Sequence, residues 1–324
     1  MDQSEPSAGK SGLHTTAVAL AHRMEKNLGR HANKIPDWDA FPASRGYPDL
    51  SRSQIRYIGA GGSPKVNDPG TLPPEHFTLS MVFQPVGNYG AVHAHEVDES
   101  FLVLEGVLTA GWEWDGEVIL ARLGPRDMIL HASDRPHGFR NEGNVPVLMS
   151  IMVGKGKPQP PAYAYHPSTH DPELSRNFGA KPGHSEMLSF DSKDPRHQQM
   201  AAHIVRFSQQ IPRWHSAGFA RIPYIGEGGA PPRTFSKDMI FLPRGAGVRA
   251  YERPVEEAYL VLEGCVSVGW EEKGETVWKR LGPRDLILNP PGQPHRFRND
   301  GFTDAQFMMV TGSPDNSGVD FRAA

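Results

Sequence analysis

The sequence of 324 residues holds a single cysteine, Cys265, so no intrachain disulfide can form and no oxidising compartment is implied. It has no uninterrupted apolar run near the roughly 20 residues that span a bilayer. Its opening, MDQSEPSAGKSG, lacks the apolar core of a secretory signal. The expectation is a cytoplasmic chain with no membrane partner. Charge of one sign is nowhere concentrated: 34 Lys and Arg stand against 37 Asp and Glu, a formal net charge of −3. Nucleic-acid binding draws on clustered cations, so a nucleic acid is excluded as the main partner. Long helical periodicity is scarce too. The chain carries 34 glycines and 30 prolines, above the average usage of about 7% and 5%. Its length suggests two domains, rich in turns.

What the sequence does have is a copy of itself. Residues 99–143 and 257–301 align without a gap at an offset of 158 and agree at 25 of 45 positions. Upstream, Met81, Phe83, Pro85 and Gly87 fall on Met239, Phe241, Pro243 and Gly245, and Ile35-Pro36-Asp37-Trp38 is echoed by Ile211-Pro212-Arg213-Trp214. A repeat this long is a tandem duplication of whole domains. Within each copy, short apolar runs such as Phe101–Leu104 and Met128–Leu130 are separated by Gly and Pro turns, the pattern of an all-β sandwich or barrel. The reading is a tail over 1–34 with one weakly amphipathic stretch (Val18 to Leu28), a first barrel over 35–154, a Pro-rich linker over 155–200 and a second barrel over 201–324. The linker is expected to wrap over the surface, with one short helix near Gln198–Phe207.

His93, His95 and Glu99 stand in the pattern G-x5-H-x-H-x3-E-x6-G between Gly87 and Gly106. Residues two apart on a strand share a face, so His93 and His95 project together. Glu99 has the same parity, and His137 on a neighbouring strand would complete a shell of three imidazoles and one carboxylate. Such donors suit Fe(II), Mn(II), Ni(II) or Zn(II) rather than Ca(II). The second copy has Tyr251 and Arg253 in place of the two histidines while keeping Glu257 and His295. Arginine cannot ligate a metal, so this copy is expected to hold a structural ion pair, with a second anion- or substrate-binding pocket as the alternative, and the chain one metal.

These residues resemble the two motifs of the cupin superfamily, and the duplication resembles a bicupin. Ala132, Asp134 and Arg126 depart from the second motif, where the family usually has Pro, Gly and Gly. The resemblance implies two tandem jelly-roll β-barrels with the metal inside the mouth of the first. It also implies a pseudo-two-fold pairing of the barrels, with tail or linker crossing onto the other barrel, and leaves a homo-oligomer open.

Residues kept in both copies read as structural: Arg140-Asn141, the turn Gly124-Pro125-Arg126-Asp127, and the core pair Trp112 and Trp270. Those that differ, His131, Gln84 and Tyr89, are candidates for shaping the pocket. Met81, Phe83, Phe101 and Phe139 are expected to line it, and His166, His170 and His184 to be solvated. The leading expectation is an Fe(II)-dependent dioxygenase acting with O2 on a small aromatic, enol or keto acid, with Glu99 as metal ligand and base. A metal only in the N-terminal barrel resembles gentisate-type dioxygenases; a carboxylate in the shell is more like quercetinase or oxalate decarboxylase. The alternatives are a non-redox isomerase, decarboxylase or lyase, or a non-catalytic small-molecule-binding cupin.

Overall fold

The computed structural model describes residues 9–61, 63, 65, 68, 70–315 and 318–324, with side chains from Thr16 onward. The first copy folds into nine principal strands: β1 (Ser53–Ile58), β2 (Thr78–Gln84), β3 (Tyr89–Ala94), β4 (Glu99–Glu105), β5 (Leu108–Trp114), β6 (Glu117–Leu123), β7 (Met128–His131), β8 (His137–Arg140) and β9 (Val147–Val153). They form two facing sheets, one ordered β7-β4-β9-β2-β1 and the other β3-β8-β5-β6, the double-sheet closure of a jelly roll. The second copy has β10 (Ala220–Ile225), β11 (Ser236–Leu242), β12 (Glu257–Glu263), β13 (Val266–Glu272), β14 (Glu275–Leu281), β15 (Leu286–Asn289), β16 (His295–Arg298) and β17 (Ala305–Thr311). The counterpart of β3 is missing there. Residues 247–252 contribute isolated bridges to Arg298, Ala323 and His295 instead.

The segment read as a tail contains a helix, α1 (Gly9–Glu25), whose Leu20 and Met24 are fully buried in the core of the second barrel. The strand Leu28–Gly29 then pairs with β15. Its counterpart ahead of the second barrel does the reverse: α2 (Pro195–Ala202) buries Met200 in the first barrel's core, and Ile204–Val205 pairs with β7. The helix expected over Gln198–Phe207 thus begins and ends earlier. Asp194 caps it through the Arg196 N–H at 2.8 Å with Pro195 in the first turn, and Ile204 and Val205 are drawn out into the sheet.

The crossing arms explain why Gly-Pro-Arg-Asp recurs. Asp285 receives Arg30 Nη1 at 2.8 Å and the His31 N–H at 2.9 Å; Asp127 receives Arg206 Nη1 at 2.8 Å and the Phe207 N–H at 3.0 Å. Arg126 and Arg284 adopt positive φ, 72° and 68°, a left-handed backbone that favours Gly. Their side chains reach across the interface, Arg126 to Glu263 and Gln306, Arg284 to Glu105. Their carbonyls accept the hydroxyls of Tyr224 (2.7 Å) and Tyr57 (2.8 Å). The barrels are therefore joined face to face over a shared apolar core that holds Met81, Leu79, Met239 and Met308.

The linker is also woven in. Ala162–Tyr165 extends the sheet beside β3, and Ser185–Met187 runs parallel to β6. Phe178 is fully buried against Gly111 and Gly138, where an added Cβ would lie 2.6 and 2.5 Å from its ring. Among the described residues no helix is long and apolar enough to cross a membrane.

Candidate metal centre

The two sheets of the first barrel each deliver part of the site. In one, His93 on β3 lies opposite His137 on β8, which in turn faces Trp112 on β5. The β3–β8 ladder slips register between Gly90 and His93, and bulges of this kind re-aim side chains. In the facing sheet Glu99, first residue of β4, lies opposite His131. The Nε2 atoms of His137, His93 and His95 sit 2.9, 3.5 and 3.6 Å from one oxygen, Glu99 Oε2. All four side chains are buried.

Protonation decides what this cluster can hold. Nδ1 of His93 and Nδ1 of His137 each lie 2.8 Å from a carbonyl oxygen, of Ala91 and Arg135. A carbonyl only accepts, so each Nδ1 carries a hydrogen and a neutral ring turns its Nε2 lone pair toward Glu99. Burial, then the neighbouring His137, pushes His93 down; burial likewise lowers His95. Burial alone would raise the Glu99 carboxyl; positive charge on His95 and hydrogens on the facing Nε2 atoms of His137 and His93 would hold it well below the usual range, the place a metal ion takes when the rings are neutral. Several acceptors thus converge at contact distance, an arrangement that needs a cation between them. The ligand atoms of His93, Glu99 and His137 lie within 4.8 Å of one another, close enough for one ion to reach all three, while His95 stands outside that mutual spacing. The residues fit a divalent metal, with second-sphere carbonyls orienting two of the imidazoles.

His131 supports the ligands without joining them. Its ring stacks on His137 at 3.9 Å and 7°, and its Nδ1 accepts the Trp112 indole N–H at 2.7 Å. Burial holds it well below the ordinary histidine range. In the second barrel Asn289 takes the same Trp270 N–H at 2.7 Å.

The cavity beside the cluster measures about 40 Å3 and is lined by His93, His95, Glu99, Phe101, Phe139 and Val82, with Arg52, Gln54 and Tyr163 among the remaining walls. Phe101 and Phe139 line it as expected. Met81 and Phe83 do not: both point into or against the core between the barrels. Alternation puts Ser80 and Val82 on the inner face of β2, so its odd-numbered residues face outward. Gln84 is buried outside the cavity lining, and Tyr89 packs with Leu50 and Ala91 beneath Arg176. His166 is not solvated; it is buried, with Nε2 2.8 Å from the Ala43 carbonyl and Nδ1 2.7 Å from Ser168 Oγ. His170 and His184 are exposed. Arg52, Gln54 and Tyr163 were not anticipated. No motif contains them, and only the strand order brings them here.

In the second barrel Arg253 is paired with Glu257, which also takes hydrogen bonds from Tyr251 (2.6 Å) and Tyr259 (2.7 Å) and lies 3.0 Å from His295. Burial alone would raise the Glu257 carboxyl; Arg253 and His295 outweigh it and bring it down to about 2.

The family of cupin domains (Cupin_2) matches residues 79–154 and again 238–311. This chain is a tandem cupin. Oxalate decarboxylase of Lactobacillus farciminis, solved as a formate complex, superposes with a TM-score of 0.61 over 89% of this chain and 86% of that one, at 13% identity. A mutant of Bacillus subtilis oxalate decarboxylase OxdC gives 0.62 over 90% and 78%, at 12% identity. At such identities the likeness establishes the fold. In sequence, dimethylsulfoniopropionate lyase DddQ of Ruegeria pomeroyi is 32% identical over 97 residues, 28% of this cupin and 43% of that protein. The match thus spans less than half the length of this curated relative. Decarboxylase and lyase names back the non-redox alternative; none of these relatives supports the dioxygenase expectation.

Proposed function

We propose that this tandem cupin is a metal-dependent, non-redox enzyme whose first barrel catalyses decarboxylation or elimination on a small organic acid. The observation that carries the reading is the convergence of three imidazole nitrogens on the buried Glu99 carboxylate at the wall of a small cavity. His93, His95, Glu99 and His137 would hold one divalent ion. Mn(II) leads the candidates, since the Bacillus subtilis oxalate decarboxylase carries Mn(II) centres; Fe(II), Ni(II) and Zn(II) suit the same donors. When bound, the ion supplies Lewis acidity toward a substrate oxygen. Glu99 offers the one carboxylate among those ligands and is the group placed to take a proton from the substrate. Phe101, Phe139 and Val82 give the cavity an apolar wall beside these ligands.

Size supports a small acid over the aromatic member of the aromatic, enol or keto acids expected from sequence. An apolar cavity of about 150 Å3 accepts benzene, whereas the space here is about 40 Å3. The reading also accounts for the silent second barrel, where Arg253 occupies the carboxylate that a metal would need.

The test is manganese-loaded protein assayed on a panel of two- to five-carbon acids, with product and O2 followed together. Product release without net O2 uptake is expected. Uptake of one O2 per product would replace this reading with the dioxygenase.

A further inference from the structure

Arg52 belongs to neither metal motif, yet it lines the same cavity as His93, His95 and Glu99. It immediately precedes β1, and only 6% of it is exposed. Nη1 donates to the Leu50 carbonyl at 3.0 Å and to Ser44 Oγ at 3.3 Å. The guanidinium lies 4.0 Å from the centroid of the Phe41 ring and 5.6 Å from that of Phe139. A planar fork fixed in this way has little freedom left to lose on meeting an anion. Among the described residues no carboxylate makes an ion pair with it. The groups that do favour its charge are Tyr163, within hydrogen-bonding reach, and Glu99, both on the cavity wall.

A buried charge without a paired counter-ion is unfavourable, and arginine cannot shed its proton. A divalent ion on Glu99 would leave the cavity with a surplus of positive charge. The duplication supplies the control. Ser53 pairs with Phe83 as Ala220 pairs with Phe241, so the counterpart of Arg52 is Phe219. That ring is fully buried and packs against Phe297 and Phe321 at 5.7 and 5.3 Å. The barrel that lacks the histidine set has an apolar ring where this one has a guanidinium.

We infer that Arg52, with the Tyr163 hydroxyl beside it, anchors a carboxylate of the substrate, so that the substrate is a short carboxylic acid whose reacting end faces Glu99. The placing of the reacting end rests on the metal reading above; the anchor itself does not.

The experiment is calorimetric titration of acetate, with acetamide and inorganic phosphate for comparison, into full-length manganese-loaded protein. Wild type is compared with Arg52→Met, Arg52→Lys and Tyr163→Phe, and the metal content of each is measured. Acetate is expected to bind wild type more tightly than either comparison probe. Arg52→Met should weaken it about 10- to 100-fold, the range of a charge-assisted hydrogen bond, at unchanged metal content. Arg52→Lys should recover part of the loss, and Tyr163→Phe should weaken binding several-fold. Should Arg52→Met fail to fold by circular dichroism, the lysine variant decides, since it keeps the charge without the fork. No acetate binding to wild type, equal affinity in the Arg52 variants, or tighter binding of phosphate would each overturn the anchor. If Arg52-dependent binding occurs in protein that takes up no metal, the anchor stands and the metal reading falls. Full metal content with Arg52-independent binding gives the converse.

Discussion

His95 and Glu99 carry the sharpest single-residue expectations. His95→Ala removes one of the four proposed donors while leaving both barrel cores intact, so elemental analysis should find the metal lost from a protein with an unchanged β-sheet spectrum. Glu99→Gln keeps the shape but removes charge and basicity. Metal binding should weaken modestly and turnover of the reloaded protein should fall about 10²- to 10⁴-fold, the usual share of general acid–base catalysis. Glu257 tests the other barrel through pH. Its carboxyl is depressed from 4.5 to about 2, so the unfolded chain takes up the proton first as pH falls. The stability contributed is complete above about pH 4.5 and is lost on the way down to about 2, on the order of 3 kcal/mol in all. Urea unfolding across that range should show the slope in wild type and a flatter one in Glu257→Gln. That variant should also be weaker at pH 7 by about 3–5 kcal/mol, because Arg253 is left buried beside a neutral amide.

At the scale of elements, the clustering of His93 and His95 with Glu99 was legible because H-x-H-x3-E fixes a face and a spacing. The cavity's other walls were not. Arg52 and Tyr163 come from chain segments 41 residues before and 70 after His93, and no periodicity ties them to it. Met81 and Phe83 were assigned to the wrong face for a related reason. Alternation separates two faces of a strand but cannot say which one faces the barrel interior when both are covered, and β2 is packed on both sides. The Gly-Pro-Arg-Asp turns were rightly read as structural from their recurrence, though their task, docking an arm from the opposite half, needed the structure. Removing residues 1–34 should therefore destabilise the second barrel more than the first. The deletion uncovers the surface buried by Leu20 and Met24, about 1.5–3 kcal/mol for each such side chain. Hydrogen exchange should show protection lost first along β15.

Across the whole molecule the least expected group is Lys237. It is buried in the interface, reaching from β11 to Ser100 Oγ in the other barrel at 2.8 Å, and burial lowers its amine to about 7. The folded state resists a proton that the unfolded chain accepts up to about pH 10.5, so stability should rise with pH between about 7 and 10.5. Lys237→Met, of similar length and apolar, should stabilise the protein by a few kcal/mol at pH 7. It should also remove that slope, as thermal unfolding at pH 7, 8.5 and 10 would record. An unchanged melting temperature at pH 7 would mean that the ammonium finds compensation in the interface.

The reciprocal arms have a consequence for the order in which this protein can be made. Leu28 must pair with Ile287, a residue synthesised about 260 positions later; at about 5–20 residues per second the wait lasts roughly 13–50 s. Throughout that interval the ribosome presents a finished N-terminal helix whose apolar side has no partner yet, and the first jelly roll lacks its edge strand until Ile204 and Val205 emerge. Two nascent chains on one message could each supply what the other still awaits. Such a chain favours sparse ribosome loading or early chaperone capture, and slowing translation between codons 205 and 287 should lower the yield of monomer in favour of arm-exchanged pairs.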